Sequence, residues 1–362
     1  MKYTLGNFIR SQYTTLPVVA CPDLTGRVVM ITGSNTYAFL GLVPYHALTH
    51  EPIHPFCSGL GYEAAKTFAR HNPARLILAV RNTLAGNKAA REIVEAHGGK
   101  CTVLEVWQLD LGRLQSVKDF AETANRELDR LDVFISNAGI TTEKFARTVD
   151  GFESTSQVNN IANSLLSILL TPLLRKTAHL PPLPTSPTFK PHLCIVSSAV
   201  HYWIYGVLPG MKGGRKDVLQ CFQEEELFPG GSTRYNETKA VNVMNALTLA
   251  DLLGPEIIVN TVNPGLCHSG LLRESVGIKG CLLTLLKLVA ARSTEVGSRS
   301  LVWAATKDTP TGAYVQDCQL FEPSDFVISD QGREIGAEIW DEMKVAWKEK
   351  VGVDADAFIR AL

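Results

Sequence analysis

Apolar residues in this chain come in short unbroken runs, at residues 28–32, 76–80, 103–108, 133–136, 193–197, 257–262 and 312–315. Between them lie stretches with apolar positions three and four apart, at 62–71, 84–97, 114–128, 152–176 and 233–253. A strand covered on both faces has no polar side, so continuous apolar runs alternating with amphipathic helices predict a parallel sheet with helices on both faces. The repeated unit predicts an α/β doubly wound fold with right-handed crossovers. Ligands in such folds sit at the carboxyl ends of the strands.

Three stretches break the pattern. Residues 181–191 are proline-rich and read as an extended surface connection. Residues 202–234 carry Gly-Gly pairs and the acidic run Glu224, Glu225, Glu226. Residues 37–58 hold three prolines and three histidines without periodicity, and they interrupt a strand-to-helix turn. The expected organisation is an extension at 1–24, one domain at 25–320 containing the 37–58 insertion, and a helical tail at 321–362 packed on it. Within the tail, 331–350 reads as an amphipathic closing helix carrying Trp340 and Trp347.

Composition narrows the function. With 35 Lys+Arg against 36 Asp+Glu, the chain lacks the basic excess that phosphate neutralisation of a nucleic acid needs. At 45% apolar residues, disorder is excluded. The eight cysteines are scattered without a C-x-x-C pair, which points to free thiols in a reducing compartment. The first 22 residues lack the apolar core of a secretory signal. The longest apolar runs, 165–174 and 281–291, fall short of the roughly 20 residues of a membrane span. The expectation is a cytoplasmic protein without membrane contact, 271–291 being where any weak contact would fall. Oligomeric state is left open, a homo-oligomer included.

The chemistry gathers at strand ends. Tyr235 and Lys239, four apart, share one helix face. A tyrosine ordinarily titrates near 10. An ammonium ~4 Å away at an effective dielectric of ~20 is worth up to ~4 kcal/mol, roughly three pKa units, which would bring the phenol toward neutrality. The same spacing also arises by chance on amphipathic helices. Ser197 and Ser198 end the fifth apolar run, where a hydroxyl could bond a carbonyl or alcohol oxygen or satisfy local backbone. Asn137, Ala138 and Gly139 follow the fourth run and permit close approach of a ligand, or make a turn. Asp110 follows the third, as an adenine acceptor or a helix cap. Pro264 and Gly265 follow the sixth. Arg81 follows the second, where NAD-binding folds commonly place an acid; an arginine there can pair with a 2′-phosphate.

Taken in order, Thr32-Gly33, Gly59-Leu60-Gly61, Asp110, Asn137-Ala138-Gly139, Asn159, Ser198, Tyr235/Lys239 and Pro264-Gly265 resemble the short-chain dehydrogenase/reductase family of the single-domain type, in its retinol-dehydrogenase-like branch. The resemblance covers residues ~25 to ~320 and implies a Rossmann-like single domain. It implies that Tyr235 transfers the proton and that Lys239 lowers its pKa and binds the nicotinamide ribose. Ser198, rather than Ser197, would position the substrate oxygen. Asn159, with Asn160 as the neighbouring alternative, would hold a water linking the lysine to solvent. It implies cofactor contacts from Gly33, Ser34, Asn35, Gly59, Leu60, Gly61, Arg81, Asp110, Asn137, Ala138, Gly139, Tyr235, Lys239, Pro264, Gly265 and Ser269. The cofactor is read as NADP(H) in preference to NAD(H). The expected reaction interconverts an alcohol and a carbonyl on a small, lipophilic substrate, with residues 271–291 as a lid and Tyr202, Trp203 and Tyr205 lining the pocket or packing in the core.

The glycine loop departs from the family pattern T-G-x-x-x-G-x-G. Thr32 to Thr36 begins it and Gly59 to Glu63 completes it once 37–58 is removed. The segment reads either as translated intron or as an excursion that returns with its glycines adjacent, which loop-closure entropy permits. Its His46, His50, His54 and Cys57 resemble zinc ligands, but Pro44, Pro52 and Pro55 break the helix that would align them, and no metal is expected. Two rival functions stand beside the oxidoreductase. One is a dinucleotide-binding protein without turnover, because the phosphate loop is interrupted. The other is an epimerase or dehydratase of the same superfamily, against which Gly59-x-Gly61 and the short tail speak.

Overall fold

The computed structural model describes residues 3–34, 59–97, 103–185, 188–204, 217–272 and 285–360. The expectations for Asn35, Tyr205, the 37–58 insertion and its histidines and Cys57 lie outside the described residues. Among the described residues there are eight strands: β1 (Val28–Thr32), β2 (Arg75–Val80), β3 (Val103–Gln108), β4 (Val133–Ser136), β5 (His192–Val196), β6 (Ile258–Asn263), β7 (Ala313–Gln316) and β8 (Gln319–Phe321). They form one sheet in the order β3-β2-β1-β4-β5-β6-β7-β8. All neighbours pair in parallel except β7 and β8, an antiparallel edge that the apolar pattern does not predict. The fold is a single-domain, Rossmann-like α/β sheet.

Alternation along the strands divides the core in two. Val29, Ile31, Leu76 and Leu78 face helices α2 (Leu60–Ala69) and α3 (Thr83–Ala96), together with the late helix Thr294–Thr306. Val28, Met30, Ile77 and Phe134 face the other layer: α4 (Leu114–Glu127), α5 (154–169), the long helix Gly231–Leu253 and the tail helix Asp330–Val351. Every residue of β1 and β5 is buried, which is why these runs carry no polar alternation. The stretch expected as one helix over 152–176 is divided. α5 ends at Leu169 and α6 (Thr171–Ala178) starts with Pro172 in its first turn, where a missing N–H is harmless.

Both ends of the chain pack on this frame. Trp340 and Trp347 meet edge to face at 5.6 Å, and the Trp347 indole donates to the Ile161 carbonyl (3.0 Å). At the other end, α1 (Leu5–Tyr13) opens with a reciprocal cap between Thr4 and Asn7. Tyr3 stacks on Tyr202 at 4.5 Å. Tyr202 is therefore a core residue and not a pocket wall, at 1% exposure.

Candidate active site

The sheet order reverses direction beside β1, between β2 and β4, and the crevice at the strands' carboxyl ends opens there. It is a cavity of about 1070 Å³. Of the residues expected from sequence, Gly33, Gly59, Leu60, Arg81, Asp110, Asn137, Ala138, Gly139, Ser198, Tyr235, Lys239, Pro264, Gly265 and Ser269 line it. Ser34, Gly61 and Asn159 stand behind its wall.

The end of β1 is locked to the end of β4. Thr32 Oγ1 accepts from the backbone N–H groups of Asn137 (3.0 Å) and Ala138 (2.9 Å), and Asn137 Nδ2 donates to the Thr32 carbonyl (2.8 Å). Gly33 has φ +68, and a Cβ there would stand 2.9 Å from Ala138 Cα, so glycine is required twice over. A Cβ on Gly61 would stand 2.6 Å from Asn137 Nδ2 and 3.3 Å from the Gly33 carbonyl. The two halves of the interrupted glycine loop are thus side by side in space.

The donors here suit a dinucleotide. The α2 N-terminus begins at Gly59, which has no side-chain cap, so its first amide groups and the positive end of the helix are turned toward the cavity wall. Ser34 Oγ is fully buried beside Gly33 without a hydrogen-bond partner. At the other end of the crevice, Arg81 is exposed and follows β2, with no carboxylate in the turn to Asn82, which caps α3 through Ala85 N–H (3.0 Å). Asp110 receives the Gly112 N–H (2.9 Å) and lies 3.7 Å from Arg113, so it shapes its own turn while bordering the cavity. The residues present fit a nicotinamide dinucleotide.

The reactive end is built by β5 and the helix Gly231–Leu253. Lys239 Nζ donates to the Val196 carbonyl (2.8 Å) and lies 5.4 Å from the centre of the Tyr235 ring. Ser197 Oγ donates to the Lys239 carbonyl (2.8 Å), so this hydroxyl ties strand to helix. Ser198 caps the short helix Ala199–Trp203; both serines border the cavity, and it is the Ser197 hydroxyl that is committed to the neighbouring helix. Arg234, fully buried, pairs with Glu237 (2.8 Å) and lies 3.8 Å from Glu153, pinning the start of the helix Gly231–Leu253 to the start of α5.

The electrostatics correct one expectation. Burial raises the Tyr235 phenol instead of a cation lowering it, and burial brings Lys239 down to about 8. Each side chain resists its charged form, and the ammonium is already bonded to backbone. Tyr235 is held as a neutral phenol.

The middle of α5, Gln157–Ile161, is wound as π helix and carries both asparagines. Asn159 clasps the Ile140 backbone, accepting from its N–H (2.8 Å) and donating to its carbonyl (2.9 Å). A Cβ on Gly139 would be 3.2 Å from Asn159 Oδ1 and 3.5 Å from Lys239 Nζ. Asn159 is therefore the member of the pair nearer the lysine, whereas Asn160 donates to Thr238 O (2.8 Å) and Asn242 Oδ1 (2.7 Å).

Several residues at the site have no motif to announce them. The His201 ring is buried and pushed down to about 4, so it is neutral. Ser324 N–H donates to its Nε2 (3.1 Å), which leaves Nδ1 to donate to the Ser198 carbonyl (2.8 Å). Phe8 lines the cavity edge to face with Trp203, 5.6 Å away; Trp203 is where the pocket-lining alternative of the sequence reading put it, and Phe8 was not expected. Gln12 bonds the Leu266 N–H (3.0 Å) and carbonyl (2.9 Å) and the Ala290 carbonyl (2.8 Å). The expected N-terminal extension thus closes the site. Three hydrogen bonds at Gln12 hold the loop after β6, and the signal that could have shown them is the capping pair Thr4/Asn7 that starts α1. Among the described residues no cluster of side chains could hold a metal ion.

The sequence pattern described as short chain dehydrogenase matches residues 56–179, beginning where the glycine loop resumes. The short chain dehydrogenase/reductase dmxR8 of Cryptosporiopsis sp. is 32% identical over 329 residues, covering 89% of this chain and 90% of its own length. Among solved structures, an uncharacterized protein from Mycobacterium paratuberculosis superposes with a TM-score of 0.63 at 24% identity, covering 92% of this chain and 98% of its own. A short-chain dehydrogenase from Sphingobium yanoikuyae in complex with NADPH superposes at 0.51 with 19% identity, covering 76% and 82%.

Proposed function

From a chain that belongs to the short-chain dehydrogenase/reductase family, we propose an NADP(H)-dependent oxidoreductase that interconverts an alcohol and a carbonyl on a small lipophilic substrate. The observation that carries this reading is the convergence of Ser198, Tyr235 and Lys239 on one cavity with the glycine-loop ends and Arg81. When bound, the reduced nicotinamide supplies the hydride.

Gly59 and Leu60 at the start of α2 hold the pyrophosphate, and Arg81 pairs with the 2′-phosphate. The NADPH-bound Sphingobium relative supports that choice. Ser198 Oγ donates to the substrate oxygen. Tyr235, kept neutral by burial, carries the proton that this oxygen takes up as the carbonyl is reduced. Lys239, anchored through the Val196 carbonyl, binds the ribose. Asn159 holds Ile140 and Gly139 against the lysine. Phe8, Trp203, Leu271 and Leu286 make the substrate end apolar.

The test is NADPH consumption by the purified chain with a panel of lipophilic ketones and aldehydes, set beside NADPH binding. Turnover that Ser198→Ala lowers at least about tenfold supports the proposal. Binding without turnover on any member of the panel would favour a dinucleotide-binding protein instead.

A further inference from the structure

Exposed apolar side chains concentrate at one place. On α1, Leu5, Ile9 and Tyr13 are 66%, 46% and 63% exposed and, spaced by four, share a face. Residues 285–290 form a short helix on which Leu285, Leu288 and Val289 are 60%, 69% and 64% exposed. The two helices touch: the Tyr13 hydroxyl donates to the Val289 carbonyl (2.9 Å), and Gln12 to that of Ala290 (2.8 Å). Their inner sides reach the catalytic cavity through Phe8 and Leu286. A water-facing apolar surface therefore frames the cavity mouth.

Its charge is one-sided. Residues 1–22 carry Lys2 and Arg10 and no carboxylate, and residues 275–294 carry Lys279 and Lys287 and no carboxylate, Arg292 being buried in a pair with Asp317 (2.7 Å). The whole chain, by contrast, balances 35 cations with 36 acids. Apolar faces with cationic flanks and no acids are the chemistry of an interfacial helix on anionic lipid.

We propose that α1 and the helix at 285–290 seat the protein on an anionic bilayer surface, with the cavity mouth toward the lipid. The orientation rests on the lipophilic-substrate reading above, since the bilayer is then the reservoir from which substrate enters. A second copy on the same face would close that mouth.

Co-sedimentation of the full chain with phosphatidylcholine vesicles containing about one-third phosphatidylserine tests the proposal. The chain is expected to pellet with these vesicles, less so in high salt, and weakly with phosphatidylcholine alone. Ile9→Glu and Leu288→Glu, neither of which borders the cavity, are each expected to lower partitioning at least about tenfold. Their Tm and NADPH affinity should match the parent protein. Failure to bind the anionic vesicles, or binding indifferent to both substitutions, would overturn the proposal. So would a parent dimer that Leu288→Glu converts to monomer, because the face would then belong to a second copy. Vesicle binding needs no turnover, so its failure leaves the catalytic reading standing, and absent turnover leaves the vesicle result readable.

Discussion

Arg81 stands exposed at the end of β2 with the crevice before it. A charge-assisted pair with a 2′-phosphate contributes about 1.5–3 kcal/mol. Arg81→Asp should therefore weaken NADPH binding about tenfold to a hundredfold and leave NADH unchanged or improved, by fluorescence titration of both. Lys239 gives a second residue-scale expectation. Burial lowers its pKa, so its charge is present below about 8 and lost as pH rises through that value. NADPH affinity and reduction rate should both fall across that range, and Lys239→Arg, which stays charged, should flatten the profile. The strand-end residues were legible in the sequence because unbroken apolar runs mark where each strand stops. The electrostatic sign at Tyr235 was not, since burial is a property of the packed fold and outweighs a cation whose proton is bonded to Val196. His201 was equally hidden, because its partners Ser198 and Ser324 come from separate parts of the chain.

At the scale of elements, the central strands followed their apolar runs within a residue or two, and so did the helices between them. α1 did not, because a helix of nine residues is too short to stand out by periodicity. Its consequence is functional. Gln12 makes three hydrogen bonds to the segments that border the substrate side. Gln12→Ala should free those segments at about 1–3 kcal/mol of local stability. KM for the carbonyl substrate should then rise about tenfold with kcat held within about threefold, and hydrogen exchange should quicken at Leu266. The division of 152–176 into α5 and α6 was signalled by Pro172, and the π turn at Gln157–Ile161 was not.

For the whole molecule, a parallel sheet with helices on both faces follows from the unbroken apolar runs and the helices between them, whereas the order of the strands does not. The edge pair β7 and β8 depends on a tight antiparallel return at Asp317 and Cys318, both at positive φ, which no apolar pattern encodes. The glycine loop is the point at which the long-range arrangement matters most. Gly61 packs beside Gly33 and Asn137 although 37–58 separates them in sequence. Deleting 37–58 restores an uninterrupted loop, and the shortened chain should bind NADPH at least about tenfold more tightly, by isothermal titration. Equal affinity would mean that the excursion leaves the phosphate site intact.

The central claim is proton transfer by Tyr235 beside a bound reduced dinucleotide. Its most direct test is single-turnover reduction with NADPH prebound, comparing the parent chain with Tyr235→Phe. The account predicts unchanged NADPH affinity and a rate lower by about 10³-fold. A Tyr235→Phe rate within a few-fold of the parent would contradict it.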